Sequence, residues 1–542
     1  MDLQQAVAHL SGILISTYNA DQTVRQAAEA ALQGFLNTVG SASVLLSLIG
    51  QVDGAGGVSR DLRLAAALVM KNSIKDFWRT EANLAETMAK GTVVKTRLLT
   101  PEERQSAKAS LIGILLAETD NAMRKNVAET IKQICEWEPP ETGWPELVPT
   151  LSANTVVGGS SSPLRIYNAL VGLRQVLKRY QFSREKRREA FDGMIIVVFP
   201  PLQALLQSVA SLETLEAASI IHVSLKLFYS AVNYQLPAGV AGSLDIVMWF
   251  NLLAAIINKP LPEASEGTEP RGQPSGDHEE RRQWPWWKAK KWATCISQHL
   301  FSRYGNPKYS APEVREFSSF FCSHASLLLL GPVLNVLQTK AQGGFITTDV
   351  HRNCLSFLGS AIELSATYKL IKPHLAFVLS GVLLPTLCIS AADVRLFSED
   401  PIEFVRKAHD PMGEFLDPVS QARHVLQSLA RHKPKHCLPL LQAQLVATAG
   451  QYRQLVNAGQ AQEEHHRAFD GVLVCVGAVC KVSPSLFSYP LPCSLSSLDF
   501  SRQCQRAAGR RSAFSTCKAR QGRQGKAGKR THTHTHTPQL DD

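Results

Sequence analysis

The chain has 542 residues, 45% of them hydrophobic and 19% charged, so it is too long for one compact core and too apolar for disorder to dominate. Its formal charge of +11 is unevenly placed: from Ser501 to Arg530 there are ten Lys/Arg and no acidic residue, and with Asp541 and Asp542 the tail carries +8, leaving +3 for the first 500 residues. A nearly neutral body excludes attraction to nucleic acid or a membrane surface by bulk charge.

The first helix is expected over Asp2–Ser16, and the start of the chain has no basic n-region of the kind that opens a signal peptide. Val24, Ala27, Ala28, Ala31, Leu32, Phe35 and Leu36 repeat at helical spacing behind Asp21, a capping residue. The next pair is expected over Ser41–Gln51 and Ser59–Trp78. Gly54, Gly56 and Gly57 lie between its helices, and with no Lys-Ser or Lys-Thr after them they read as a turn rather than a phosphate cradle. Thr100-Pro101-Glu102-Glu103 combines an N-cap, a proline at the first helical position and a capping-box glutamate. The pair it opens runs through Leu116, turns at Thr119-Asp120 and continues from Met123 to Ile134.

Further helices are expected over 163–180, 183–199, 212–234, 243–258, 286–304, 312–330, 350–368, 401–415, 418–431 and 463–482, with no strand alternation or hairpin signal. The fold class is therefore all-α. Helix pairs recurring every ~40–50 residues point to an α-solenoid of HEAT or armadillo type, a curved superhelix of helical hairpins. The expected divisions are 1–102, 103–258, a solvated loop over Lys259–Gln283, 284–483, and a basic low-complexity tail over 484–542. The tail ends in alternating Thr and His, which reads as a disordered segment or a translated nucleotide repeat rather than a metal or nucleic-acid site. Pro373–Ala392 is free of acidic and basic charge for twenty residues, but its polar residues and Pro385 predict a buried helix broken near its middle rather than a membrane span.

Eleven cysteines, odd in number and never spaced C-x-x-C, read as free thiols in a reducing compartment. His432-x-x-x-His436-Cys437 and Glu463-Glu464-His465-His466 are the only clusters resembling a ligand set, and neither has a matching second half. With no G-x-S-x-G, Walker or dinucleotide motif either, no enzyme, metal or cofactor is expected.

Several stretches carry a resemblance. Ala27-Ala28-Glu29-x-x-Leu32, then Arg63-Leu64-Ala65-Ala66-Ala67-x-x-Met70-Lys71-Asn72-x-Ile74-x-x-x-Trp78, resembles the importin-β N-terminal domain. Trp137, Pro139-Pro140 and Trp144-Pro145-Glu146-Leu147 loosely follow the family's next turn. Pro285-Trp286-Trp287-Lys288-x-Lys290-Lys291-Trp292-Ala293, running on to Leu300-Phe301-x-Arg303-Tyr304-Gly305-x-Pro307, is very similar to the importin seven and importin eight subgroup. Leu370-x-Lys372-Pro373-His374, Phe397-x-Glu399-Asp400-Pro401-x-Glu403-Phe404-x-Arg406 and Asp470-Gly471 continue it in order.

The resemblance implies the N-terminal half of a nuclear transport receptor moving between cytoplasm and nucleus through the nuclear-envelope pore. Such a receptor binds the small GTPase Ran in its GTP form, phenylalanine-glycine nucleoporins, and basic protein cargo such as ribosomal proteins or histones, without inserting in the membrane. By position in the family, Arg63, Lys71, Asn72 and Lys75 are the candidates for contact with Ran. Trp286, Trp287, Lys288, Lys291 and Trp292 are a structural signature: indole rings packed on a neighbouring helix with lysine stems alongside. The competing reading is a HEAT scaffold that works without Ran, or a truncated, non-functional receptor fragment.

Overall fold

A computed structural model of the chain describes residues 2–51, 58–79, 97–156, 162–184, 186–237, 246–261, 278–308, 310–408, 410, 417–480 and 482. Among these residues the regular structure is entirely helical. They fall into two compact units, one of 1–336 with 345–357 and one of 337–344 with 358–542.

In the first unit the hairpins follow one another. They comprise α1 (Leu3–Ser16), α2 (Gln22–Leu36), α3 (Ser41–Ile49), α4 (Arg60–Phe77), α5 (Pro101–Ala117), α6 (Asn121–Trp137), α7 (Leu147–Ala153), α8 (Pro163–Tyr180), α9 (Lys186–Val209), α10 (Leu215–Val232), α11 (Ile246–Asn258), α12 (His278–Gln283) and α13 (Pro285–Tyr304). The second helices form a continuous ladder, α4 on α6, α6 on α8, α8 on α10 and α10 on α13, while α3 packs on α5 and α7 on α9. This two-layer stacking of hairpins is the HEAT-type solenoid arrangement, in which each repeat buries its apolar face on its neighbours.

Local sequence sets the helix starts. Asp21 accepts a hydrogen bond from Thr23 N–H, and Thr100 and Glu103 form a reciprocal capping box with Pro101 at the first helical position. Arg97 pairs with Glu103, which also accepts from Gly40 N–H, and the arginine is the main reason the Glu103 carboxyl is lowered to about 2. The core between α9, α10 and α11 is aromatic: Trp249 is fully buried, its ring stacked on Phe228 at 4.2 Å and tilted to Phe199 at 5.7 Å.

Helix α9 does not stop at Phe199 as its prolines suggest but runs through Pro200 and Pro201 to Val209. Those prolines leave the carbonyls of Ile196 and Val197 without helical donors. Ser152 Oγ on α7 donates to the Val197 carbonyl at 3.2 Å, and Ile196 is 60% exposed, so water can satisfy its carbonyl. The loop expected over Lys259–Gln283 is also shorter in the structure, since α12 occupies its last six residues. Residues 262–277 lie outside the described residues, as does the tail from 483.

Beyond α13, a 3-10 turn at Pro312–Val314, α14 (Arg315–Phe320), a π-turn at Phe321–Ala325 and α15 (Ser326–Ala341) replace the single helix expected to end at Leu330. Helix α16 (Thr348–Glu363) follows; α15 and α16 are each divided between the units.

The second unit continues with α17 (Ser365–Ile371), a 3-10 turn at Lys372–His374, α18 (Leu375–Phe377), a π-turn at Val378–Leu383, α19 (Leu384–Leu387), α20 (Ala391–Glu399), α21 (Pro401–Ala408), α22 (Pro418–His432), α23 (Pro434–Asn457) and α24 (Glu463–Cys480). Pro385 does not break its helix: the π-turn just before it takes up the change in hydrogen-bond register. Helix α23 is absent from the sequence expectations, although Pro434 opens it and Cys437, Leu438, Leu441 and Leu445 fall on its buried side.

By length and composition alone, Lys186–Val209, Leu215–Val232, Pro312–Ala341 and Ser365–Glu399 are long and apolar enough to cross a bilayer. Leu215–Val232 instead lies between α8 and α13 in the ladder, and α19 packs on α22 and α24.

The Asp470-Gly471 motif closes the second unit. Asp470 accepts from Ile389 N–H at 3.2 Å and Arg467 donates to Ile389 C=O at 2.7 Å, so both backbone polar groups of Ile389 are held by this helix. A Cβ on Gly471 would stand 2.5 Å from Cys388 Sγ and 3.3 Å from its Cα. Gly471→Ala is therefore expected to destabilise this unit by about 1–3 kcal/mol through overpacking. The check is a urea titration followed by circular dichroism, and an unchanged profile would mean that the Cys388 turn can give way.

Candidate functional site

The candidate Ran-contact residues lie on α4, whose Ser59 N-cap accepts from Leu62 N–H. Leu68, Lys71, Asn72 and Lys75 follow the i, i+3, i+4, i+7 spacing of one helix face; Leu68, Asn72 and Lys75 are exposed and Lys71 is half-buried. Lys71 Nζ donates to Asn126 Oδ1 on α6 at 3.2 Å, tying two rungs of the ladder together at the surface.

Arg63 is placed differently. It is 5% exposed, its Nη2 meets Glu118 Oε2 at 2.6 Å, and its Nε donates to Ile49 C=O at 3.0 Å. Glu118, itself 4% exposed, also accepts from Asp120 N–H through its side chain at 2.8 Å. Its backbone C=O accepts from Asn168 on α8 at 2.8 Å and from Arg124 on α6 at 3.2 Å. The guanidinium thus holds the end of α3, the turn between α5 and α6, and through that turn α8.

The other end of α4 has a matching junction. Trp78 is fully buried and its Nε1 donates to Glu138 Oε1 at 3.1 Å, while Lys108 pairs with Glu138 Oε2 at 2.7 Å and donates to Gly143 C=O at 3.1 Å. Gly143 approaches so closely that a Cβ there would sit 2.7 Å from Glu138 Cα. The tryptophan that ends the importin-like run is thereby joined to the turn before Trp144.

The tryptophan-rich start of α13 faces several elements at once. Trp286 and Trp287 are each 3% exposed; Lys259 Nζ stands 4.5 Å from the Trp286 ring centre, and Trp287 meets Phe345 edge-on at 5.5 Å. Lys290 is buried, donates to Lys259 C=O at 2.7 Å, and is pushed down to about 8 by desolvation. Lys288, Lys291 and Trp292 are half-buried. Lys291 Nζ pairs with Asp349 Oδ2 at 3.2 Å, and Trp292 packs edge-on against Tyr229 at 5.1 Å, with Lys226 Nζ 5.4 Å from its ring centre.

A third feature was not legible in the sequence. Val247 and Phe250 of α11 and Phe320, Ser323, His324, Ala325, Leu327 and Leu328 line an open cavity of about 380 Å³. Its wall is apolar, with Val247 50% and Leu328 40% exposed at the rim and Phe250 buried at the base. The π-turn at Phe321–Ala325 shapes one side of it, and a π-turn has no clear sequence signature.

The possible ligand clusters are engaged otherwise. His436 Nδ1 is 2.9 Å from Tyr368 Oη, His466 Nδ1 is 2.9 Å from Tyr452 Oη, and burial pushes the Cys437 thiol up to about 12. Among the described residues no group of three His, Cys, Asp or Glu side chains could hold a metal, and the described cysteines are free.

The importin-beta N-terminal domain family matches residues 28–117, from within α2 to the end of α5. The chain is similar to the importin beta-like SAD2 homolog of Arabidopsis thaliana, 27% identical over 482 residues that cover 89% of this chain and 43% of that protein. It is similar to importin-8 of Homo sapiens, 25% identical over 443 residues, covering 82% of this chain and 40% of that protein. The chain therefore spans about two fifths of the length of these relatives. Among solved structures, the exportin Cse1 in its cargo-free, cytoplasmic state matches with a TM-score of 0.64 at 16% identity, over 88% of this chain and 46% of that one, which shows a shared fold.

Because Arg63 and Glu118 are both buried, removing one partner strands the other charge. Glu118→Ala is expected to cost about 3–5 kcal/mol, and Arg63→Met with Glu118→Leu less than that single change. Urea titrations of the three proteins check this; a double variant weaker than Glu118→Ala would show that the pair's backbone contacts outweigh its charges.

Proposed function

We propose that the chain, similar to importin-β family proteins over most of its length, is a nuclear transport receptor of that family. In this reading it binds Ran in the GTP form through its first repeats, meets phenylalanine-glycine nucleoporins, and carries basic protein cargo between cytoplasm and nucleus through the pore. The observation that carries the reading is the coincidence of the family match with a face of α4 that presents half-buried Lys71 and exposed Asn72 and Lys75. Lys71, Asn72 and Lys75 are assigned to the GTPase contact. Arg63, held by Glu118 and Ile49, supports that face from within.

Ran and cargo oppose each other by linkage: if each lowers the other's affinity, the two effects are equal in free energy. A receptor of this kind performs no chemical step: linkage couples cargo release to Ran's nucleotide state, and GTP hydrolysis on Ran gives the cycle its direction. The apolar cavity between α11 and the π-turn suits a phenylalanine ring, since it offers an aromatic base and an open, apolar rim.

Immobilised Ran locked with GTP is expected to retain the full chain while Ran with GDP does not, and Lys71→Glu with Lys75→Glu should weaken retention about tenfold. No retention of folded chain would remove the receptor reading and leave the Ran-independent scaffold. A separate binding assay with a phenylalanine-glycine repeat peptide tests the cavity: Leu328→Arg is expected to weaken binding about tenfold. An unchanged affinity would place the nucleoporin contact elsewhere.

A further inference from the structure

The apolar cavity between α11 and the π-turn has two polar side chains at its mouth. Ser323 and His324 both line it, and both are exposed. The imidazole of His324 lies nearly parallel to the Phe320 ring, with 13° between the planes and 5.4 Å between centres, so the ring is braced rather than free to swing. A histidine held at the edge of an apolar hollow offers a ligand one of two things, a proton donor or a lone pair, according to which nitrogen carries the proton.

The contacts of Ser323 decide between them. Its Oγ is 2.8 Å from the Ser319 carbonyl oxygen, 3.4 Å from that of Phe320 and 2.7 Å from His324 Nδ1. A carbonyl oxygen has no proton, so the single hydroxyl proton of Ser323 must point to Ser319; otherwise two oxygen lone pairs would meet face to face. The contact with the ring then takes its proton from the histidine: Nδ1–H donates and Ser323 Oγ accepts. In the neutral imidazole this leaves Nε2 as an acceptor, and that nitrogen has no partner among the described residues.

We propose, resting on the reading that this cavity seats a phenylalanine ring, that His324 is a positioning residue for the peptide: its Nε2 accepts a backbone N–H that flanks the inserted ring. A peptide matches both features of the site, because it carries an N–H beside each side chain it inserts. A plain hydrocarbon fills the apolar wall but has no donor for the nitrogen. Phe250, buried at the base and tilted to Phe320 at 6.2 Å, gives the entering ring aromatic neighbours. Burial of that ring is indifferent to how the chain runs, whereas a fixed acceptor selects the orientations that bring an N–H to it. A ligand that seats its ring without such a donor leaves Nε2 covered and unpaired, and loses affinity.

The experiment uses the full chain and a short fluorescent peptide with one phenylalanine-glycine pair, its binding read by anisotropy. Two further probes replace a single amide by an ester, one at the N–H of the phenylalanine and one at the N–H of the residue after it. One of the two esters is expected to bind about fivefold more weakly than the amide peptide. His324→Phe keeps an aromatic ring beside Phe320 but offers no acceptor. It should weaken the amide peptide about fivefold and bind that ester as well as it binds the amide. The esters act on the unaltered protein, so they give the reading if His324→Phe does not fold. Leu328→Arg tests the seat of the ring separately. Binding that responds to Leu328→Arg but is unchanged by both esters would leave the phenylalanine contact standing and overturn the role of His324. A loss with His324→Phe that neither ester reproduces would show packing alone and overturn it as well. A peptide that the folded chain does not bind, or binds regardless of Leu328→Arg, would overturn both readings.

Discussion

The buried pair of Arg63 and Glu118 holds together more of the first unit than any comparable contact near the start of the chain. It stands where α3 ends, where α5 turns into α6, and where Asn168 of α8 reaches back to the same turn. A charge taken out of water is costly unless it is paired and its remaining hydrogen-bonding capacity is used. Here the arginine has a carboxylate and a backbone carbonyl, and the glutamate has the guanidinium and the Asp120 N–H. In a solenoid, stability is largely the sum of each repeat and its interfaces. A junction spanning three successive hairpins therefore fixes how the helices that carry the exposed face of α4 are presented.

The lysines and prolines show how context changes what a residue type does. Lys290 is buried against the tryptophan cluster and capped by the Lys259 carbonyl, whereas Lys288 and Lys291, two and one residues away, reach the half-exposed side of α13. A helix turn of about 100° per residue separates these fates. Prolines 200, 201 and 385 are accommodated inside longer helices, where the freed carbonyls meet solvent and the Ser152 hydroxyl in one case and after a π-turn in the other. Broken hydrogen bonds there become bends rather than ends.

Much of the local architecture could be read from residues in order. The capping box at Thr100-Pro101-Glu102-Glu103, the Asp21 cap and the apolar spacing of α2 depend on neighbours within one helical turn, and the structure realises each of them. The lengths of helices with internal prolines could not be read so well, because the outcome depends on whether a freed carbonyl meets water or another donor. Helix α23 lies outside the sequence expectations although Pro434 begins it, because Pro439 inside it reads as a helix breaker. Of the four candidate contact residues on α4, periodicity separates Arg63 from the others only weakly. Its burial follows from Glu118, fifty-five positions away.

The sequence by itself determined the all-helical class, the pairing of helices and the importin-β resemblance, because caps, turns and 3.6-residue periodicity are local and the family motifs are contiguous. Only the tertiary structure decided which charges are buried and which apolar faces stay open. Arg63 meets Glu118, and the apolar cavity forms beside a π-turn. Each of these depends on residues far apart in the chain brought together by stacking, a distance that no linear pattern encodes.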